Sequence, residues 1–93
     1  MNVSVEFYGQ SRIRSGVASV NLEIPHVAPV SSSVLCKWLV KKLPALTDKV
    51  ISSDSDQFLP SYMCNLNGDS FVGRNFQISK GDTVLVIPSQ SGG

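Results

Sequence analysis

Apolar and polar residues alternate at the start of the chain, where Val3, Val5 and Phe7 are interleaved with Ser4, Glu6 and Tyr8. A period of two lets a strand bury one face, so this spacing predicts a first strand. Residues 9–16 hold Gly, Gln, Ser and two Arg without an apolar period and predict a turn. A second strand then places Ala18, Val20, Leu22 and Ile24 on its inner face, completing an N-terminal hairpin.

Pro25 and Pro29 break the extended run, and Ser31, Ser32 and Ser33 follow as candidate N-caps. Their hydroxyls can accept from first-turn amides that have no partner within a helix. Val34, Leu35, Trp38, Leu39 and Leu43 then recur at helical spacing, with Lys37, Lys41 and Lys42 off that face and towards the end where cations suit the helix dipole. Pro44 ends the helix, because the residue before a proline is pushed out of helical geometry.

Beyond it, Leu46, Val50 and Ile51 form a second apolar patch expected to pack loosely, and residues 52–61, with Asp54, Asp56 and Pro60, read as an exposed loop. Tyr62 to Leu66 predicts a strand, and Asn67, Gly68 and Asp69 supply a turn that tolerates positive φ before a short extended piece at Phe71 and Val72. Phe76 and Ile78 make another short apolar pair. Lys80, Gly81 and Asp82 turn the chain into the strongest strand signal, Thr83 to Ile87.

This order predicts an α+β domain over residues 1–88, one mixed sheet of four to five strands with one main helix packed on one face, followed by a flexible tail over 89–93. Along the last strand Val84 and Val86 point one way, Leu85 and Ile87 the other. No second helix is available for the far face. Either a protein partner covers Leu85 and Ile87, or the 47–61 segment folds over them.

Composition narrows the possible roles. The 93 residues, 42% of them hydrophobic, suffice for one modest core. Eight basic against seven acidic residues, without runs of either sign, argue against nucleic-acid or membrane binding. Apolar stretches are far shorter than the roughly 20 residues that span a bilayer, and no basic segment with an apolar signal core follows Met1, so a cytoplasmic protein is expected. Cys36 and Cys64 lack the CxxC spacing of redox or zinc sites and are read as free, packing thiols.

Side-chain catalysis finds little footing. The single histidine, His26, lies in a proline-flanked connection with no nucleophile or carboxylate at motif spacing. Asp54 and Asp56 lack the Gly and Glu of a calcium loop, and Gly68 and Gly73 are not followed by the Lys and Ser or Thr of a phosphate loop. No bound cofactor or metal is expected.

The remaining candidate is the tail: Pro88, Ser89, Gln90, Ser91, Gly92 and Gly93. At an average glycine usage of about 7%, a chance Gly-Gly ending arises roughly once in two hundred chains. Lacking Cβ atoms, two glycines can pass through a channel too narrow for side chains. Five residues from Ser89 extend roughly 16 to 18 Å, enough for the carboxyl of Gly93 to reach a buried site in another protein. A carboxylate is a poor electrophile and needs activation. Transfer of AMP from ATP by a partner gives an acyl-adenylate; a sulfur donor then leaves a thiocarboxylate, and an amine an amide. Both outcomes fit these residues.

The ending resembles that of the MoaD/ThiS-like sulfur carriers of the ubiquitin-like β-grasp kind. Asn65, Leu66, Asn67 and Gly68 look like the family's strand and turn, Gly81 and Asp82 like its later turn, and Pro88 with Gly92 and Gly93 like its terminus. The first strand and Pro44, Ala45 and Leu46 are weaker markers. The chain departs from the pattern where Ser89 replaces the second of two prolines, and in a longer, more polar 47–61 segment.

The resemblance implies a β-grasp fold and adenylation of Gly93 by a ubiquitin-activating-like adenylyltransferase of MoeB/ThiF type, which uses ATP and Mg. Sulfuration to a thiocarboxylate and delivery to an acceptor subunit of MoaE type follow, as in molybdopterin synthase. Gly93 would carry the sulfur and Gly92 would give channel access. Leu85, Ile87, Pro88, Ser89, Gln90 and Ser91 would contact partners, while Gly81 and Asp82 are structural. Carriers for thiamine, cysteine or tRNA thiolation, and conjugating modifiers, share this ending.

Overall fold

The computed structural model describes residues 1–27 and 29–89. In chain order the elements are β1 (Asn2–Phe7), α1 (Gln10–Ser15), β2 (Ser19–Glu23), β3 (Val30–Ser31) and α2 (Ser32–Lys42), followed by a 3-10 turn (Pro44–Leu46). Then come β4 (Ile51–Ser52), β5 (Gln57–Phe58), β6 (Tyr62–Leu66), β7 (Ser70–Val72), β8 (Gln77–Ile78) and β9 (Thr83–Pro88).

Five strands form one mixed sheet in the order β2-β1-β9-β6-β7. The first and last strands run parallel at its centre, with Val5 beside Val84 and Phe7 beside Val86, and every other pairing in the sheet is antiparallel. The predicted α+β layer pair is what the chain adopts. Val3, Val5, Phe7, Cys64, Val84 and Val86 project from the sheet into one core with Leu35, Cys36 and Leu39 of α2. Burying a Val or Leu side chain contributes about 1.5–3 kcal/mol, which makes this seam the main source of stability.

Ser31 is the N-cap of α2, its hydroxyl accepting from the Val34 amide at 3.3 Å, and the helix stops before Pro44 as its sequence dictates. Ser32 is buried at the junction with β8: its amide donates to the Phe76 carbonyl at 2.8 Å and its hydroxyl to the Arg74 carbonyl at 3.1 Å. Asn67 and Gly68 take φ of 60° and 76° in the β6–β7 turn, where only small or amide-bearing residues sit without strain. The Asn67 side chain accepts from the Thr83 amide at 2.8 Å and donates to Asp82 at 3.1 Å, tying that turn to the start of β9.

The structure corrects three sequence expectations. Residues 9–16 are not an open turn but contain the helix α1; its inward residues are Ser11 and Ser15, so it has no apolar stripe for a hydrophobic period to detect. Leu46, Val50 and Ile51 do not pack loosely: all three are fully buried, and β4 and β5 form a small hairpin whose Phe58 also enters the core. Ala18 is not an inner-face residue of β2; it precedes the strand and is exposed, whereas Leu22 and Ile24 are buried.

Candidate functional site

β9 lies between β1 and β6, so both of its edges are paired and its side chains alternate cleanly between the two faces. Val84 and Val86 are fully buried beneath α2; Leu85 and Ile87 are half-buried on the opposite face. Register places Leu85 between Glu6 and Asn65, sets Phe71 across from Asn65, and pairs Ile87 with Met63. Tyr8 extends the same face, its hydroxyl donating to the Glu6 carboxylate at 2.6 Å, a contact that raises the pKa of the phenol. The outcome is an apolar strip of Met63, Leu85 and Ile87 flanked by the exposed rings of Tyr8 and Phe71.

The 47–61 segment does not fold over this strip. The 3-10 turn and β5 pack against α2, on the other side of the sheet. Asn65, buried within the strip, has an Oδ1 with no hydrogen-bond partner among the described residues. Leaving such an acceptor unpaired costs about 1–3 kcal/mol.

At the end of β9 the backbone is held on both sides. The Ser89 amide donates to the Ser61 carbonyl at 2.8 Å and its hydroxyl to the Pro60 carbonyl at 3.0 Å. On the other side Pro88 packs on Gly9, where an added Cβ would lie 2.6 Å from the proline Cγ. Gly9 has φ 58° and ψ −132°, a conformation closed to residues with side chains. Ser11, fully buried, accepts from the Tyr8 amide at 3.0 Å and directs its single proton towards the Tyr8 and Val86 carbonyls at 2.7 and 3.0 Å. Gly9→Ala is therefore expected to lower stability by about 1–3 kcal/mol through backbone strain and displacement of the Pro88 ring. Urea unfolding measures this, and an unchanged midpoint would refute it.

No described side chain is poised for catalysis. Cys36 and Cys64 are buried, and burial pushes both thiols up to about 12, with Cys64 and then Asp56 adding to the effect at Cys36. Both stay protonated at neutral pH and are poor nucleophiles. His26 is exposed in the link from β2 to β3. Gly81 and Asp82 lie at the start of β9, at the far end from the tail, and Asp82 accepts from the Ser79 amide at 2.8 Å in a purely structural turn.

The structure thus brings Leu85 and Ile87 onto one open face and places Pro88 and Ser89 at its end. Gln90, Ser91, Gly92 and Gly93 lie outside the described residues. Tyr8, Met63 and Phe71 join the face only through strand register, which the sequence does not reveal. Among the described residues no helix is long and apolar enough to cross a membrane.

The chain matches no protein-family model, and a search of curated proteins finds no match. Solved structures do match. SAMP1 from Haloferax volcanii aligns over 100% of both chains with a TM-score of 0.78 at 19% identity. The Amycolatopsis orientalis BexX/CysO complex contains a chain that aligns over 98% of this chain and 99% of its own, with a TM-score of 0.68 at 17% identity. A chain in the complex of subunits 1 and 2 of the molybdopterin-converting factor from Helicobacter pylori aligns over 100% of both, with a TM-score of 0.57 at 18% identity. The fold is therefore the ubiquitin-like β-grasp shared with these proteins.

Proposed function

We propose that this chain is a sulfur carrier whose Gly93 carboxylate is adenylated by a partner and converted to a thiocarboxylate. The observation that carries the reading is the Gly92 and Gly93 pair placed four residues or fewer beyond Ser89, which makes the last described hydrogen bonds at the end of the central strand of a β-grasp sheet. The carboxylate attacks the α-phosphorus of ATP, with Mg held by the partner adenylyltransferase, giving an acyl-adenylate and pyrophosphate. A sulfur donor then displaces AMP, and the terminal carbon keeps one oxygen and gains one sulfur.

The chain's own residues position this end. Pro88, Gly9 and Ser89 fix where the tail departs, Gln90 and Ser91 span the gap, and Gly92 enters a channel that excludes side chains. The strip around Leu85 and Ile87 gives a partner its apolar seat. Molybdopterin formation, with an acceptor subunit of MoaE type, is the favoured destination of the sulfur. The fold shared with the molybdopterin-converting factor chain supports it.

The second reading is a protein modifier, in which a lysine amine displaces AMP and forms an amide; the fold shared with SAMP1 favours it. Carriers for tRNA thiolation, thiamine or cysteine would use the same thiocarboxylate. Intact-mass analysis of the protein isolated from its own cells separates these outcomes. A sulfur carrier is heavier by the difference between one sulfur and one oxygen, lysine-linked adducts mark a modifier, and an unaltered carboxylate in the presence of the activating enzyme and ATP overturns both.

A further inference from the structure

The element missed in the sequence carries more than the tail's support. α1 turns Ser11 and Ser15 inward and Arg12, Ile13 and Arg14 outward. Ile13 is 72% exposed, Val17 is also exposed, and with Arg12, Gly16 and Ala18 they line a shallow depression of about 370 Å³. A lone exposed apolar residue is ordinary, but a β-branched pair facing one hollow beside Arg12, with Arg14 also exposed on the same short helix, is not. Among the described residues neither Arg12 nor Arg14 makes a salt bridge. In a chain of net charge +1 this is a local concentration of unneutralised positive charge.

Position decides what the patch meets. α1 packs on β9, the Ser11 hydroxyl reaches the Val86 carbonyl, and Gly9 at its entry touches Pro88. The patch therefore sits at the end of the sheet where β9 ends. The four residues after Ser89 span at most about 13 to 14 Å, so an enzyme acting on Gly93 must come close to α1.

We infer that Arg12, Ile13, Arg14 and Val17 form a second docking surface for the enzyme that activates the tail, fitting an apolar socket rimmed by carboxylates. The inference rests on the proposed function. The arginines steer encounter and fix orientation, as complementary rim charges do. Ile13 supplies the anchor.

The test is ATP–pyrophosphate exchange catalysed by the purified ubiquitin-activating-like adenylyltransferase of the same organism, with the carrier as varied substrate. Arg12→Glu with Arg14→Glu, and separately Ile13→Ser, are expected to raise the KM for the carrier about tenfold or more, with kcat within about twofold. Added salt should weaken the wild type more than the Glu variant. The Lys counterparts, Arg12→Lys with Arg14→Lys, should stay near wild type. All these residues are exposed, so the melting temperature serves as a control on folding.

Unchanged KM in the Glu variant alongside an activated wild type overturns the second surface and leaves the carrier function standing. An effect of Ile13→Ser alone overturns the acidic partner. A wild type that is not adenylated at all removes the proposed function and this inference with it.

Discussion

Deleting Gly92 and Gly93 is expected to abolish the proposed adenylation and sulfur transfer while leaving the melting temperature within about 2 °C of wild type. The proposed chemistry uses the deleted carboxyl, and no described side chain offers a substitute: the two cysteines are buried and protonated, and His26 is exposed in a connection. The described core does not include these residues: Val84 and Val86 are in place on β9, and the described bonds of that end of the chain run to Ser89. Exposed termini contribute few buried contacts. Single-turnover adenylation and thermal unfolding read the two quantities, and residual activity comparable to wild type would refute the assignment.

The second large effect comes from two adjacent residues. Val86→Lys forces an ammonium into the core between Phe7 and Cys64 and is expected to cost more than about 4 kcal/mol, enough to unfold a domain of ordinary stability. Ile87→Lys places the same charge on the open face beside Met63 and is expected to cost about 1 kcal/mol or less. It should nevertheless weaken binding to the activating enzyme roughly thirtyfold or more, the loss of one apolar anchor of about 2 kcal/mol. Urea unfolding and calorimetric titration separate the pair. Equal destabilisation by both substitutions would mean that Ile87 also supports the core.

What the sequence made legible had local causes. β1 and β9 show a two-residue period, α2 has a serine cap at one end and a proline at the other, and Asn67 and Gly68 mark a positive-φ turn. What remained hidden depends on partners distant in the chain. β3 and β8 are two residues each and exist only because Val30 meets Ile78. Ile51 reads as part of a loosely packed patch and Phe58 as part of an exposed loop until their pairing places both in the core.

α1 was concealed by its serines: Ser11 is fully buried, yet its burial is satisfied by carbonyls of Tyr8 and Val86 and not by apolar contact. The one local clue was Gly16 at φ 78°, closing the helix by donating to the Arg12 carbonyl at 3.0 Å, with arginines in the last turn. Tyr8, Met63 and Phe71 were in view as apolar residues, but only register assigns them to the face of Leu85 and Ile87.

The central, parallel pairing of β1 with β9 has a mechanical consequence. In the proposed function, a partner that draws the C-terminal end into a channel loads β9 lengthwise, and that load is resisted at once by its backbone bonds to β1 on one edge and β6 on the other. Tension meets these bonds in shear instead of unzipping them one at a time, so the domain can be pulled from the end of β9 and stay folded.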